Sequence, residues 1–125
     1  MQPYLLVGLG GIAGANLRYL VSSAAASRWG TLFPYGTLVI NLVGSFLLGV
    51  LLTAVTGPDG ANARALLGTG FCGGFTTFST FAFETIALAW AGDRRGAVVN
   101  ALGTIGLGLA AAALGVLLGS AVAGW

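Results

Sequence analysis

Within Gly68-Thr-Gly-Phe-Cys-Gly-Gly-Phe-Thr-Thr-Phe-Ser-Thr-Phe81, hydropathy and side-chain chemistry disagree. Hydropathy alone marks an ordinary membrane helix. Yet four hydroxyls, Thr76, Thr77, Ser79 and Thr80, crowd behind the Gly73-Gly74 pair, and Phe71, Phe75, Phe78 and Phe81 recur through the same stretch. Glycine weakens a helix, and Ser and Thr side chains divert backbone hydrogen bonds, so the run predicts a broken helix. Arg64 and Arg94 bracket the span, which puts its midpoint at residue 79 and the break near the bilayer centre. Non-helical backbone survives at that depth only against protein or a water-filled cavity. Its freed carbonyls would suit a small hard cation such as Na⁺. Phe78 and Phe81, three apart, would project the same way, and aromatic rings presented edge-on offer a positive rim to an anion. Simple packing is the plainer reading of the rings, but it explains the clustered hydroxyls poorly.

Outward from this stretch, charge sets the limits of the other spans. Thirty uncharged residues lie between Arg28 and Asp59, 19 between Arg64 and Glu84, and none after Arg95 is charged. A helix crosses the hydrocarbon core with about 20 apolar residues. Four spans follow, near residues 4–24, 33–56, 66–91 and 96–121, in one all-α integral membrane domain over 1–125. The composition, 57% hydrophobic and 6% charged, excludes a water-soluble fold. A net charge of +2 drawn from eight charges is no nucleic-acid face. With no His, one Cys and three scattered carboxylates, the chain lacks a zinc or iron ligand cluster and cannot form an intrachain disulfide.

Punctuation agrees with these limits. Pro34 suits a first helical turn, and Gly57-Pro58-Asp59-Gly60 is a turn that stops the second span. Tyr4, Trp29, Tyr35, Trp90 and Trp125 lie near span ends, as amphipathic rings do at the headgroup level. Met1 to Ala15 lacks the basic start of a signal peptide, so the segment reads as retained. Arg28, Arg94 and Arg95 on one side oppose Arg64 on the other, a weak positive-inside bias that permits either orientation and a dimer of opposite orientations.

The chain has 22 glycines, most of them within the spans. Gly10 with Gly14, Gly70 with Gly74 and Gly115 with Gly119 have the small-xxx-small spacing of close helix packing. Gly8 to Ala13 matches a dinucleotide fingerprint only on paper, since the first acid is Asp59. Polar residues inside spans are costly and carry the functional signal. Arg18 follows Gly10 and Gly14 at i+4 steps, either snorkelling toward a helix end or serving a site. Asn41 stands among apolar neighbours, as interhelical glue or as an amide donor. Asn100 and Thr104 share a face one turn apart and would continue a polar track.

These motifs resemble the Fluc (CrcB) fluoride channels over essentially the whole chain. Gly10-Gly-Ile-Ala-Gly-Ala-Asn-Leu-Arg-Tyr19 is similar to the family's first-helix motif, Gly36-Thr-Leu-Val-Ile-Asn-Leu-Val-Gly-Ser-Phe46 to its second, and Gly73 to Phe81 to its third. The resemblance implies a multi-pass inner (plasma) membrane protein that exports fluoride passively. It also implies a dual-topology antiparallel homodimer with two pores and a structural Na⁺ on the two-fold axis. Carried over, Phe78 and Phe81 would line the pores and Asn41 would donate beside the ion path. Gly73 and Thr76 would give carbonyls to Na⁺. Arg18, Glu84, Ser79, Thr77 and Thr104 would serve the vestibule and polar track. One position departs: one turn before Thr104 the family often has Tyr, and here it is Asn100.

Fluoride is small and strongly hydrated, so a pore must replace water with amide and hydroxyl donors and ring edges. A full charge in the narrow part would hold the ion too tightly, which would place Arg18 toward a helix end. Two rivals stand beside this reading. A small dual-topology multidrug exporter needs a carboxylate deep in a helix, and the only span carboxylate, Glu84, lies toward the end of span three. A structural assembly subunit leaves Phe75 to Phe81 without a reason.

Overall fold

A computed structural model describes residues 2–124. Helix α1 runs from Gln2 to Trp29 and α2 from Tyr35 to Ala54. A 3₁₀ turn at Pro58–Gly60 leads into α3 (Ala61–Ala63), a π-helical segment (Arg64–Cys72) and α4 (Gly73–Phe75), which are continuous. After two extended residues come α5 (Phe78–Trp90) and α6 (Arg94–Ala123). There is no strand among the described residues.

Four spans are present, with limits that shift from those expected. The third enters at Ala61 rather than 66, because the 3₁₀ turn leads straight into the helix. Helix α1 extends to Trp29 and closes on Gly30, whose positive φ of 79° ends it. Helix α2 starts after Pro34, and Gly57 turns at φ 77° as the Gly-Pro-Asp-Gly run requires. The Arg64 guanidinium donates to the Val55 carbonyl at 3.0 Å, satisfying an acceptor left open past the end of α2. Asp93 caps α6, its Oδ1 accepting the Gly96 N–H at 2.8 Å.

Three helices, α1, α2 and α6, are each long and apolar enough to cross a membrane. The third span is divided, and the break changes its neighbours. The π segment and α4 pack against α1, whereas α5 packs against α6, which in turn lies along α2. Glycines make the close approaches. A Cβ at Gly10 would strike the Leu66 carbonyl and one at Gly14 the Phe71 carbonyl, so α1 lies backbone to backbone on the π segment. Gly115 and Gly119 do the same for α6 against Phe46 and Val50 of α2.

The buried apolar core is small: Ile40 is fully enclosed, and Cys72, Phe75, Phe81 and Leu88 are also buried. Outward residues are as apolar as inward ones: Leu102, Leu109 and Leu117 are all more than 60% exposed. That inversion fits a chain surrounded by hydrocarbon. Trp29, Trp90 and Tyr4 are exposed near helix ends as expected of interfacial anchors, and Trp125 lies outside the described residues.

Candidate functional site at the break of the third span

The break falls at Thr76 and Thr77, both extended, with ψ 158° and 122°. It comes just after the glycine pair, not at it. Gly73 and Gly74 remain helical, and the ladder fails where side chains offer better partners. In a continuous helix the Thr77 N–H would go to the Gly73 carbonyl. Here it goes to Asn41 Oδ1 at 2.9 Å, while Asn41 Nδ2 donates to the Thr77 carbonyl at 3.0 Å. The Thr80 N–H, due to Thr76, instead finds Thr77 Oγ1 at 3.2 Å, an N-cap that starts α5. The Thr76 carbonyl accepts from Arg18 Nη1 at 3.3 Å. Asn41 and Arg18, remote in sequence, therefore satisfy the backbone that the break exposes.

These contacts revise two expectations. Arg18 is well inside α1, not toward its end, because α1 is longer than the expected span. Its guanidinium reaches the break rather than the cavity mouth described below. Asn41 is not alone on its face: Thr37 and Ser45 lie one turn before and after it, giving α2 a polar line at 37, 41 and 45. That i+4 spacing was legible, and Thr37 and Ser45 are residues that sequence reasoning missed.

A cleft of about 600 Å³ opens at the break, lined by Asn41, Thr76, Thr77, Phe78, Phe81 and Thr104, with Ser45 and Thr69. The Phe78 and Phe81 rings are neighbours, 5.8 Å between centroids and tilted by 57°. Their settings differ: Phe81 is 8% exposed and Phe78 79%. Within one chain the rings therefore border an open cleft and do not enclose a channel. Ser79 is exposed, its Oγ 3.4 Å from Thr77 Oγ1, and Thr77 donates to Thr80 Oγ1 at 3.1 Å.

Beyond the cleft a polar chain joins α5 to α6. Thr104 donates to Asn100 Oδ1 at 3.4 Å, Asn100 Nδ2 to Thr85 Oγ1 at 2.9 Å, and Thr85 to the Phe81 carbonyl at 2.8 Å. Asn100 is 2% exposed, and such burial of an amide requires partners. Thr85 was missed, although it sits one turn after Phe81 and bonds back to it. A cavity of about 330 Å³ touches both Thr104 and Tyr35, and so adjoins the cleft and a wider mouth.

That mouth, about 430 Å³, is lined by Ser22, Thr31, Tyr35, Thr37 and Glu84. Glu84 Oε1 accepts from Thr37 Oγ1 at 2.9 Å, whereas the buried Oε2 has no partner among the described residues. The cavity at Asn100 shares Thr104 with the cleft and Tyr35 with the cavity at Glu84.

For a cation, the donors are neutral. No group of three or more His, Cys, Asp or Glu that could hold a metal exists among the described residues. The Gly73 carbonyl is released from the Thr77 N–H, and Gly73 is exposed on the surface of the chain. The Thr76 carbonyl shares its lone pairs with Arg18. Backbone oxygens of this kind fit a hard monovalent ion.

Residues 5–116 match the family described as CrcB-like protein, Camphor Resistance (CrcB). Similar proteins include the fluoride-specific ion channel FluC of a Roseiflexus species, 46% identical over 95% of this chain and 94% of the relative. The fluoride-specific ion channel FluC 1 of Listeria monocytogenes is 47% identical over 93% and 96%. The FluC of Thermus thermophilus is 43% identical over 99% and 100%.

Proposed function

The chain belongs to the CrcB-like family, and from that premise we propose that it is a passive, fluoride-selective channel of the cell membrane. It is a multi-pass membrane protein and not an enzyme. The observation that carries the reading is the break at Thr76–Thr77, held by Asn41 and bordered by Phe78 and Phe81 on a cleft at mid-span. Non-helical backbone at that depth has a use when it lines a path for an ion.

Fluoride sheds strongly bound water only where other donors replace it. Asn41 uses one amide hydrogen on Thr77 and keeps the second. The edges of the Phe78 and Phe81 rings, both on the cleft wall, would attract an anion without the grip of a full charge. Arg18 contributes its charge through the Thr76 carbonyl, one layer back from the cleft. Thr104, Asn100 and Thr85 continue the polar course toward the mouth at Glu84 and Thr37.

The working unit is an antiparallel homodimer with two pores. Its support is the cleft itself, which lies open with Phe78 79% exposed, together with the weak charge bias between loops. In that dimer the Gly73 and Thr76 carbonyls would hold a structural Na⁺, which would supply a fixed positive charge between the subunits. Fluoride efflux from liposomes, with chloride efflux in parallel, tests the channel. Cross-linking of purified protein in liposomes tests the dimer.

A further inference from the structure

We propose that Ser45 and Thr69 are ion-path residues of this chain, hydroxyls that receive a small hydrated anion beside the one free amide hydrogen of Asn41, where the Thr76, Thr77 and Thr104 hydroxyls are already committed. This assignment rests on the channel reading and extends it to two residues on opposite walls of the cleft, one on α2 and one on the π segment.

The reason is the count of free protons. An anion that leaves water needs several N–H or O–H groups at once. The Thr76 hydroxyl donates to the Cys72 carbonyl at 2.8 Å, the Thr77 hydroxyl to Thr80 and the Thr104 hydroxyl to Asn100. Asn41 has one amide hydrogen left. Ser45 and Thr69 line the same cleft, yet their hydroxyls make no hydrogen bond to any described residue.

A helical Ser or Thr at membrane depth can satisfy its hydroxyl by bonding back to the carbonyl one turn earlier. Thr53 does so to Gly49, Thr76 to Cys72 and Thr85 to Phe81. Ser45 and Thr69 do not. Ser45 continues the line of Thr37 and Asn41 along α2. Gly108 faces it from α6, where a Cβ would come to ordinary contact, 3.9 Å from Ser45 Oγ, and Ser45 itself is only part-buried. Thr69 lies between Gly68 and Gly70, which add no side chains beside it.

The test uses the full chain in liposomes with a fluoride electrode, comparing Ser45→Ala, Thr69→Val, their double variant and Thr69→Ser. Flux is normalised to the assembled protein measured by size-exclusion chromatography. Loss of one hydrogen bond to a charged group predicts a fall of about tenfold for each single variant. A larger fall is expected in the double variant, with near-normal flux in Thr69→Ser. The half-saturating fluoride concentration should rise as well, which a purely structural change would not cause. Should Thr69→Val not assemble, Thr69→Ala carries the same prediction. Flux in the double variant within about twofold of the unsubstituted chain would overturn the proposal and leave the channel reading standing. Loss of assembly with unchanged flux per assembled unit would also overturn it, by assigning the hydroxyls to contacts between subunits. No fluoride flux from the unsubstituted chain would remove both.

Discussion

The side-chain amide of Asn41 holds both backbone groups of Thr77, accepting its N–H at 2.9 Å and donating to its carbonyl at 3.0 Å. One side chain on α2 thereby stands in for a turn of helix that the third span lacks. The break is a built feature of the fold, with its exposed groups satisfied from α1 and α2.

Asn41→Leu removes both bonds and leaves an N–H and a carbonyl unpaired inside the protein. It should lower stability by about 2–4 kcal/mol, the cost of two orphaned backbone groups. Asn41→Asp keeps the acceptor but loses the donor and adds a negative charge beside the path, so fluoride flux should fall even where assembled protein is recovered. Unfolding in detergent and liposome flux read the two effects separately. Wild-type stability in Asn41→Leu would show that the clamp does not hold the break.

Two glycines on α1 should respond in opposite directions. At Gly14 a Cβ would strike the Phe71 carbonyl, whereas at Gly8 nothing lies within 4 Å. Gly14→Ala should destabilise by about 1–3 kcal/mol through forced separation of the backbones. Gly8→Ala should be neutral or stabilise by up to about 1 kcal/mol through helix propensity. Equal responses to thermal unfolding would contradict the close approach of α1 to the π segment.

Phe78 and Phe81 separate stability from conduction. Phe81 is buried, so Phe81→Ala should cost about 3–5 kcal/mol as well as flux. Phe78 is mostly exposed within the subunit, so Phe78→Ala should leave the isolated subunit's packing nearly unchanged and still cut fluoride flux. Full flux in both variants, in protein that is folded, would end the ring-edge role.

If Gly73 and Thr76 hold Na⁺ by their carbonyls, the Thr76 side chain is not a ligand. Thr76→Ser keeps the hydroxyl that bonds to Cys72 and should spare both dimer assembly and flux. Replacing Na⁺ by a large organic cation during purification should weaken the dimer in both proteins alike, by cross-linking yield. Loss of the dimer in Thr76→Ser alone would point to the side chain.

Much of the architecture was legible because charge is so scarce. Arg28, Asp59, Arg64 and Arg94 mark where spans must end, and hydroxyls beside glycines at Gly73 to Thr80 announce a break. What closes the break was not legible. Arg18 lies 58 residues from Thr76 and Asn41 36 from Thr77, and neither spacing carries a periodic signal. The π-helical form of Arg64–Cys72, on whose carbonyls the α1 glycines pack, was also hidden, since no residue type in it marks a widened turn. The pairing of Thr37 with Glu84 needed the fold, although Thr37 already shared a helix face with Asn41.

The most direct measurement is fluoride efflux from liposomes containing the purified protein, driven by a K⁺ gradient with valinomycin, with chloride efflux followed in parallel. A selective passive channel predicts rapid fluoride loss with negligible chloride loss, and no dependence on a proton gradient. Absence of fluoride flux from folded, assembled protein, or equal loss of both ions, would contradict the assignment.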